Sequence, residues 1–285
     1  MTQSTKVLFI GCGDVAQRAA KLMPAGYRCF GLRRNPEKLI AGVVPILADA
    51  AKPQQLISAV SDGYDVWVAT LTPSDFTRDA YQESYLAVAQ TIAQAVASSS
   101  QPPKLIIWVS STSVYGDSDG DWVDETTTAN PATFSGEILL KSERIIQNLP
   151  CTTSVIRFSG IYGPGRTRLL DQVRAGKGRP KTPEQWSNRI HSEDCGGVLA
   201  HLIELFQSGQ SIEPLYLASD SKPITQHDIR EWLAQQLSVS LEEEPVPIRP
   251  VRRCNNRLLL EAGFKFRYPS FKEGYAALID NQKIS

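Results

Sequence analysis

Apolar and polar positions along the first half of the chain follow two alternating periods. Runs at residues 7–10, 28–32, 43–47, 66–69, 105–109 and 154–157 are almost continuously apolar, as in strands covered on both faces. Between them, helical spacing marks 15–23, 54–60, 81–96 and 138–146. The third of these places Tyr81, Tyr85, Val88, Ile92 and Val96 on one face. Strand, helix, strand, repeated, predicts an α/β fold with a doubly wound parallel sheet.

The pattern changes after residue 157. A loop-rich stretch with many Gly, Pro and Arg leads to a predicted helix at 193–206, a strand at 215–218 and a helix at 228–237. Thr225 and Asp228 have capping-box spacing for that last helix. The expected organisation is a sheet domain over 1–160 and a smaller region over 161–285. The latter packs over the carboxyl edge of the sheet and returns the strand near 215–218 to it.

Composition narrows the function classes. With 285 residues, 42% of them hydrophobic, the chain can bury a sizeable core. Thirty basic residues balance thirty acidic ones, so the general positive field of a nucleic-acid binder is missing. No apolar run nears the ~20 residues that span a bilayer, and no apolar leader follows Met1, so a cytoplasmic protein without membrane contact is expected. Five cysteines, Cys12, Cys29, Cys151, Cys195 and Cys254, are odd in number, widely spaced and without a Cys-x-x-Cys pair. Reduced thiols are expected, with neither a disulfide framework nor a metal site.

Candidate chemistry begins where the first strand ends. The stretch Val7-Leu8-Phe9-Ile10-Gly11-Cys12-Gly13-Asp14-Val15-Ala16 reads as a strand, a G-x-G-x-x-A turn and a helix start. Gly11 allows the tight turn, Gly13 lets backbone amides approach a pyrophosphate, and Ala16 permits close packing of helix on strand. Gly11, Cys12, Gly13, Asp14, Val15 and Ala16 are therefore expected to hold a dinucleotide on a Rossmann fold in the 1–160 domain. Asp14 runs against this, since its carboxylate repels the phosphates while suiting the helix dipole. The second strand ends Gly31-Leu32-Arg33-Arg34, with arginines where an NAD-binding carboxylate would stand. NADP(H) is preferred over NAD(H), because guanidinium pairs with a 2′-phosphate. Asp49 follows the third strand and serves either the adenine or a turn. Ala69 and Ser110, at the ends of the fourth and fifth strands, complete the expected cofactor set.

Four blocks give the chain a family resemblance. They are the glycine loop, Val109-Ser110-Ser111-Thr112-Ser113-Val114-Tyr115-Gly116, Arg157-Phe158-Ser159-Gly160-Ile161-Tyr162-Gly163-Pro164-Gly165, and Arg189-Ile190-His191-Ser192-Glu193-Asp194. In order and spacing the chain resembles the extended short-chain dehydrogenase/reductase superfamily, in particular its NAD-dependent epimerase/dehydratase family, with a glycine loop of an atypical subgroup. The resemblance implies an NAD(P)-binding oxidoreductase acting on a carbonyl, sugar or nucleotide-sugar substrate. It also implies Ser111 as the hydroxyl that holds the substrate.

The family's proton-transferring pair does not align. In the stretch Ser135-Gly136-Glu137-Ile138-Leu139-Leu140-Lys141-Ser142-Glu143, the tyrosine position holds Ser135 and the lysine position Leu139. Lys141 lies about 200° around a helix from that position and points to another face. Tyr115, Tyr162 and His191 are the remaining candidates for proton transfer, each of which could equally be a packing or hydrogen-bonding residue. Glu125 reads as a loop anchor or as a base beside the cleft. From Arg166 to Arg189 seven basic residues face only Asp171 and Glu184, which suits either an anionic small-molecule substrate or a solvated lid. An alternative function is a catalytically silent NADP(H)-binding regulator or redox sensor. A monomer or homodimer is expected.

Overall fold

The computed structural model describes residues 4–245 and 251–284. Its main sheet contains β1 (Thr5–Ile10), β2 (Tyr27–Arg33), β3 (Val43–Leu47), β4 (Val66–Ala69), β5 (Leu105–Ser111), β7 (Thr152–Phe158) and β12 (Leu215–Ala218). The strands are parallel throughout and run in the order β12-β7-β5-β4-β1-β2-β3. The order reverses direction at β1, the point where open α/β sheets place their ligands.

Two-residue periodicity divides the apolar strand residues between two layers. Val7 and Phe9 of β1 face α1 (Asp14–Leu22) and α7 (Ser192–Gln207), where they pack with Ala16, Ala19, Cys195 and Val198. Leu8 and Ile10 face the opposite layer, with Leu56 of α2 (Pro53–Ala59) and Val88 and Ile92 of α4 (Val88–Ser98). All four β1 side chains are completely buried, each worth about 1.5–3 kcal/mol relative to exposure. The covered-strand expectation fails at β3. That strand is the sheet edge, and Leu47 is 73% exposed. A continuous apolar run cannot by itself tell an edge from an interior strand, but Pro45, which has no amide to donate, suits the edge.

The helical stretch expected at 81–96 is composite: α3 (Arg78–Tyr81), a π-helical turn at Gln82–Ala87, and α4. Helix α5 (Phe134–Gln147) packs against β5 and β7, and among the described residues four small strand pairs lie outside the main sheet: β6 (Trp122–Val123) with β15 (Arg253–Cys254), β8 (Gly160–Tyr162) with β11 (Arg189–His191), β9 (Lys177–Gly178) with β14 (Glu242–Glu243), and β10 (Trp186–Ser187) with β13 (Ile224–Thr225). A separate apolar cluster joins α6 (Arg168–Arg174), α8 (Gln226–Leu237) and α10 (Phe271–Ile284), and α9 (Arg257–Glu261) packs against β12. The Thr225 hydroxyl caps α8, accepting from the Asp228 amide at 3.0 Å and donating to the Asp228 carboxylate at 2.7 Å. Among the described residues no helix is long and apolar enough to cross a membrane.

Candidate functional site

Loops leaving the carboxyl ends of β1, β2, β3 and β4 enclose a cavity of ≈ 330 Å³. Gly11 turns the chain at φ +75°, where a side chain would also meet Leu71 Cδ2 and the Thr70 carbonyl at 2.9 Å. The Thr70 hydroxyl donates to the Gly11 carbonyl at 2.9 Å and fixes the turn. A Cβ at Gly13 would touch only the Gly11 carbonyl at 3.7 Å, so this position faces open space where a phosphate can approach. Gly13 is also the N-cap of α1 and supplies no capping side chain, which leaves the first-turn amides of the helix for an anion. A pyrophosphate fits these residues.

The Asp14 carboxylate, which counted against such a loop, is paired with Arg18 at 2.8 Å and Arg166 at 3.4 Å. Arg33 is half-buried, with Nη1 donating to the Cys12 carbonyl at 3.2 Å, while Arg34 is exposed. Both line the cavity, as does Asp49, whose Oδ1 accepts from the Ala51 amide at 3.0 Å and so closes a turn. Val15, Ala16 and Ala69 are buried beneath the loop and line no part of this cavity. Burial pushes the Cys12 thiol up to about 12, which keeps it an uncharged packing group.

A second, larger cavity of ≈ 700 Å³ continues from the first, sharing Gly13, Thr70, Leu71, Thr72 and Ser74. Ser110, Ser111, Ser113, Thr133, Ser135 and Ser159 give it a hydroxyl-rich wall. Ser111 Oγ accepts from the Ser113 amide at 3.2 Å, leaving its own proton to donate into the cavity. Ser135 and Leu139 also line it, whereas Lys141 is exposed on another face of α5. Ser159 Oγ is buried and, among the described residues, has no hydrogen-bond partner. Beneath this wall the Ser110 hydroxyl donates to Glu143, and Arg157 Nη2 donates to the same carboxylate at 2.7 Å.

The other three proton-transfer candidates do not line this cavity. Tyr115 is 2% exposed, donates to the Asp124 carbonyl at 2.7 Å and lies under the Arg157 guanidinium; burial pushes its hydroxyl up to about 12. Tyr162 is buried against Tyr275, ring centroids 4.4 Å apart, and its hydroxyl has no hydrogen-bond partner among the described residues. His191 is the N-cap of α7, where Nδ1 accepts from the Glu193 amide at 3.3 Å. Burial pulls its imidazole down to about 4, so the ring is neutral near pH 7.

In place of those three, Tyr81, at the end of α3, and Tyr85, within the π-helical turn, line the cavity. The sequence pattern reads them as core residues because they share a helix face with Val88 and Ile92. Nothing in apolar spacing signals a π turn, a feature often found at functional sites. Tyr85 donates to the Leu71 carbonyl at 3.1 Å. Tyr81 packs its ring on Phe76, Tyr85 and Phe134, and burial raises the pKa of its hydroxyl.

Four residues of the basic stretch, Arg166 among them, are engaged in ion pairs. Lys177 and Arg179 pair with Glu244 at 3.2 and 3.3 Å, and Arg174 pairs with Asp171 at 3.6 Å. Of the seven basic residues only Arg166 lines the larger cavity. Glu125 is a loop anchor: its Oε1 accepts from the Leu217 amide at 2.6 Å.

A Rossmann sheet with a glycine loop at its switch point and an adjoining hydroxyl-lined chamber defines a protein of the short-chain dehydrogenase/reductase type. The chain belongs to the NAD-dependent epimerase/dehydratase family. It is 31% identical to a Methylobacillus flagellatus protein assigned to that family, over 99% of this chain and 100% of that one, with a TM-score of 0.84. It is 34% identical over 172 residues to Protein YeeZ of Escherichia coli K12; the match spans 58% of each chain. Two more distant structures share the fold: the human epimerase family protein SDR39U1 with NADPH (19% identity, TM-score 0.76, 93% of this chain and 96% of that one), and MoeE5 with UDP-glucose and NAD (17%, 0.77, 99% and 100%). No family model matches the chain.

Proposed function

We propose that the protein is an NADPH-preferring oxidoreductase that reduces a carbonyl group on a small-molecule substrate in the cytoplasm. The carrying observation is that Arg33 and Arg34 line the smaller cavity, which opens into a hydroxyl-lined chamber. In this reading the glycine loop and the α1 amides hold the pyrophosphate, and the two arginines hold the 2′-phosphate. Cys12 and Asp49 bound the same cleft, Asp14, Val15 and Ser110 line its continuation, and Ala16 and Ala69 pack behind it. A bound reduced nicotinamide supplies a hydride. Ser111 donates a hydrogen bond to the substrate oxygen, and Tyr81 delivers the proton that the Ser135 and Leu139 positions cannot. Tyr115, Tyr162 and His191 support the chamber by packing. Carbonyl compounds, sugars and sugar nucleotides are the substrate classes to compare.

Calorimetric titration tests the cofactor reading. NADPH should bind more tightly than NADH, and Arg33→Ala or Arg34→Ala should cost NADPH about tenfold while sparing NADH. Gly13→Val should abolish both. Equal affinities in the wild type, unchanged in the arginine variants, would remove 2′-phosphate recognition. The vacant Ser135 and Leu139 positions favour a second reading, a silent NADP(H) sensor, which predicts tight NADPH binding without turnover of any carbonyl compound.

A further inference from the structure

The wall of the larger cavity carries chemistry that bears on what it admits. Phe76 is 71% exposed at its mouth, one of the most exposed large apolar side chains of the molecule. It is held by neighbours rather than loose: its ring centroid lies 5.6 Å from Tyr81 and 5.1 Å from Phe134. Tyr81 in turn lies 5.5 Å from Tyr85. The mouth therefore presents a fixed aromatic surface to whatever enters, with an area that water hydrates poorly.

Charge on the same wall points the same way. Its ionisable residues with formal charge are Asp14, Asp75 and Arg166, and Arg166 already pairs with Asp14 at 3.4 Å. A sugar nucleotide brings a diphosphate, which needs unspent cations or convergent amides beyond those given to the cofactor. Beside the mouth Arg78 lies over the Phe134 ring at 5.6 Å, but it is paired with Glu137 at 3.4 Å; in the open groove holding Arg168 and Lys177, Lys177 is paired with Glu244 and Asp171 adds a carboxylate. At the inner end the hydroxyls of Ser111 and Ser135 and the unpartnered, buried Ser159 Oγ offer hydrogen bonds without charge.

We infer that this chamber selects an uncharged, ring-bearing carbonyl compound and rejects sugar nucleotides. The ring lies against Phe76 and Tyr81, and the carbonyl oxygen reaches the serine hydroxyls. The inference rests on the oxidoreductase reading above, whose failure has its own signature.

The test is calorimetry on the full chain, first with NADP⁺ and then, on the NADP⁺-saturated protein, with three probes: acetophenone, cyclohexanone and UDP-glucose. Saturable heats for acetophenone or cyclohexanone, none for UDP-glucose, and a roughly 2- to 10-fold loss of ketone affinity in Phe76→Ala are the expected results. Phe76 is exposed, so its truncation leaves the core intact; an unchanged circular dichroism melting point checks this. Saturable UDP-glucose binding, flat responses to both ketones, or ketone affinity unaltered by Phe76→Ala would overturn the inference. Absence of NADP⁺ binding removes the cofactor reading itself, and the inference with it.

Discussion

Tyr81 shows how much a single side chain can change the reading of this site. It lines the larger cavity as Tyr85 does, but the Tyr85 hydroxyl is committed to the Leu71 carbonyl. Burial raises the pKa of Tyr81, so near neutrality it holds its proton and suits donation to a reduced carbonyl oxygen rather than abstraction from an alcohol. Tyr81→Phe keeps the ring contacts and removes only the hydroxyl. NADPH-dependent ketone reduction should fall about 10²–10⁴-fold in this variant while ketone binding stays within about twofold. Equal loss of binding and turnover would make Tyr81 a wall residue. The sequence conceals this role, because a tyrosine on an apolar helix face looks the same whether it packs or points into a chamber.

At the scale of elements, α5 is fastened to the sheet by an ion pair rather than by apolar contact alone. Glu143 is fully buried and Arg157 of β7 is 5% exposed; Arg157 donates through Nε at 3.2 Å and Nη2 at 2.7 Å, and Ser110 of β5 completes the carboxylate's partners. Breaking one side of such a pair strands a buried charge, whereas removing both does not. Arg157→Met should cost about 3–5 kcal/mol in urea unfolding, and Glu143→Leu with Arg157→Met should recover most of it. Simple additivity of the single changes would mean that the pair is not coupled. Arg157 was legible as the start of a family block and Glu143 as a position of the helix expected at 138–146, but their pairing was not, since a pairing between helix and strand leaves no mark in local spacing. Strand and helix periodicities read the sheet well because its residues alternate between two covered layers, with β12 found where its apolar run lies. Legibility stopped where local pattern is degenerate: the edge position of β3, the π turn between α3 and α4, and the pairing of Lys177 and Arg179 with the distant Glu244.

Across the whole molecule, two buried groups at the end of the sheet make opposing contributions to stability. Burial raises Asp220 to about 7, against a partial offset from the Lys222 amide and Arg189, with Glu273 and Asp194 adding to the rise. His191 is lowered to about 4 by burial, with Glu193 and Asp14 opposing and Arg18 and Arg267 assisting. For His191 the unfolded chain holds the extra proton between about pH 4 and 6.5, so its contribution to stability grows as pH rises through that window. For Asp220 the folded chain holds the extra proton between about pH 4 and 7, so its contribution falls over nearly the same range. Each slope is about 1.4 kcal/mol per pH unit, and the two nearly cancel below pH 6.5. Asp220→Asn removes one of them and keeps an oxygen for the Lys222 amide, which Asp220 Oδ1 accepts at 3.1 Å. Urea unfolding at a series of pH values should therefore show the variant gaining on the wild type steadily from about pH 4 to 7, then holding a constant advantage. Parallel curves for the two proteins would mean that Asp220 is ionised in the folded state across the whole range, and that its unpartnered Oδ2 is charged at no cost.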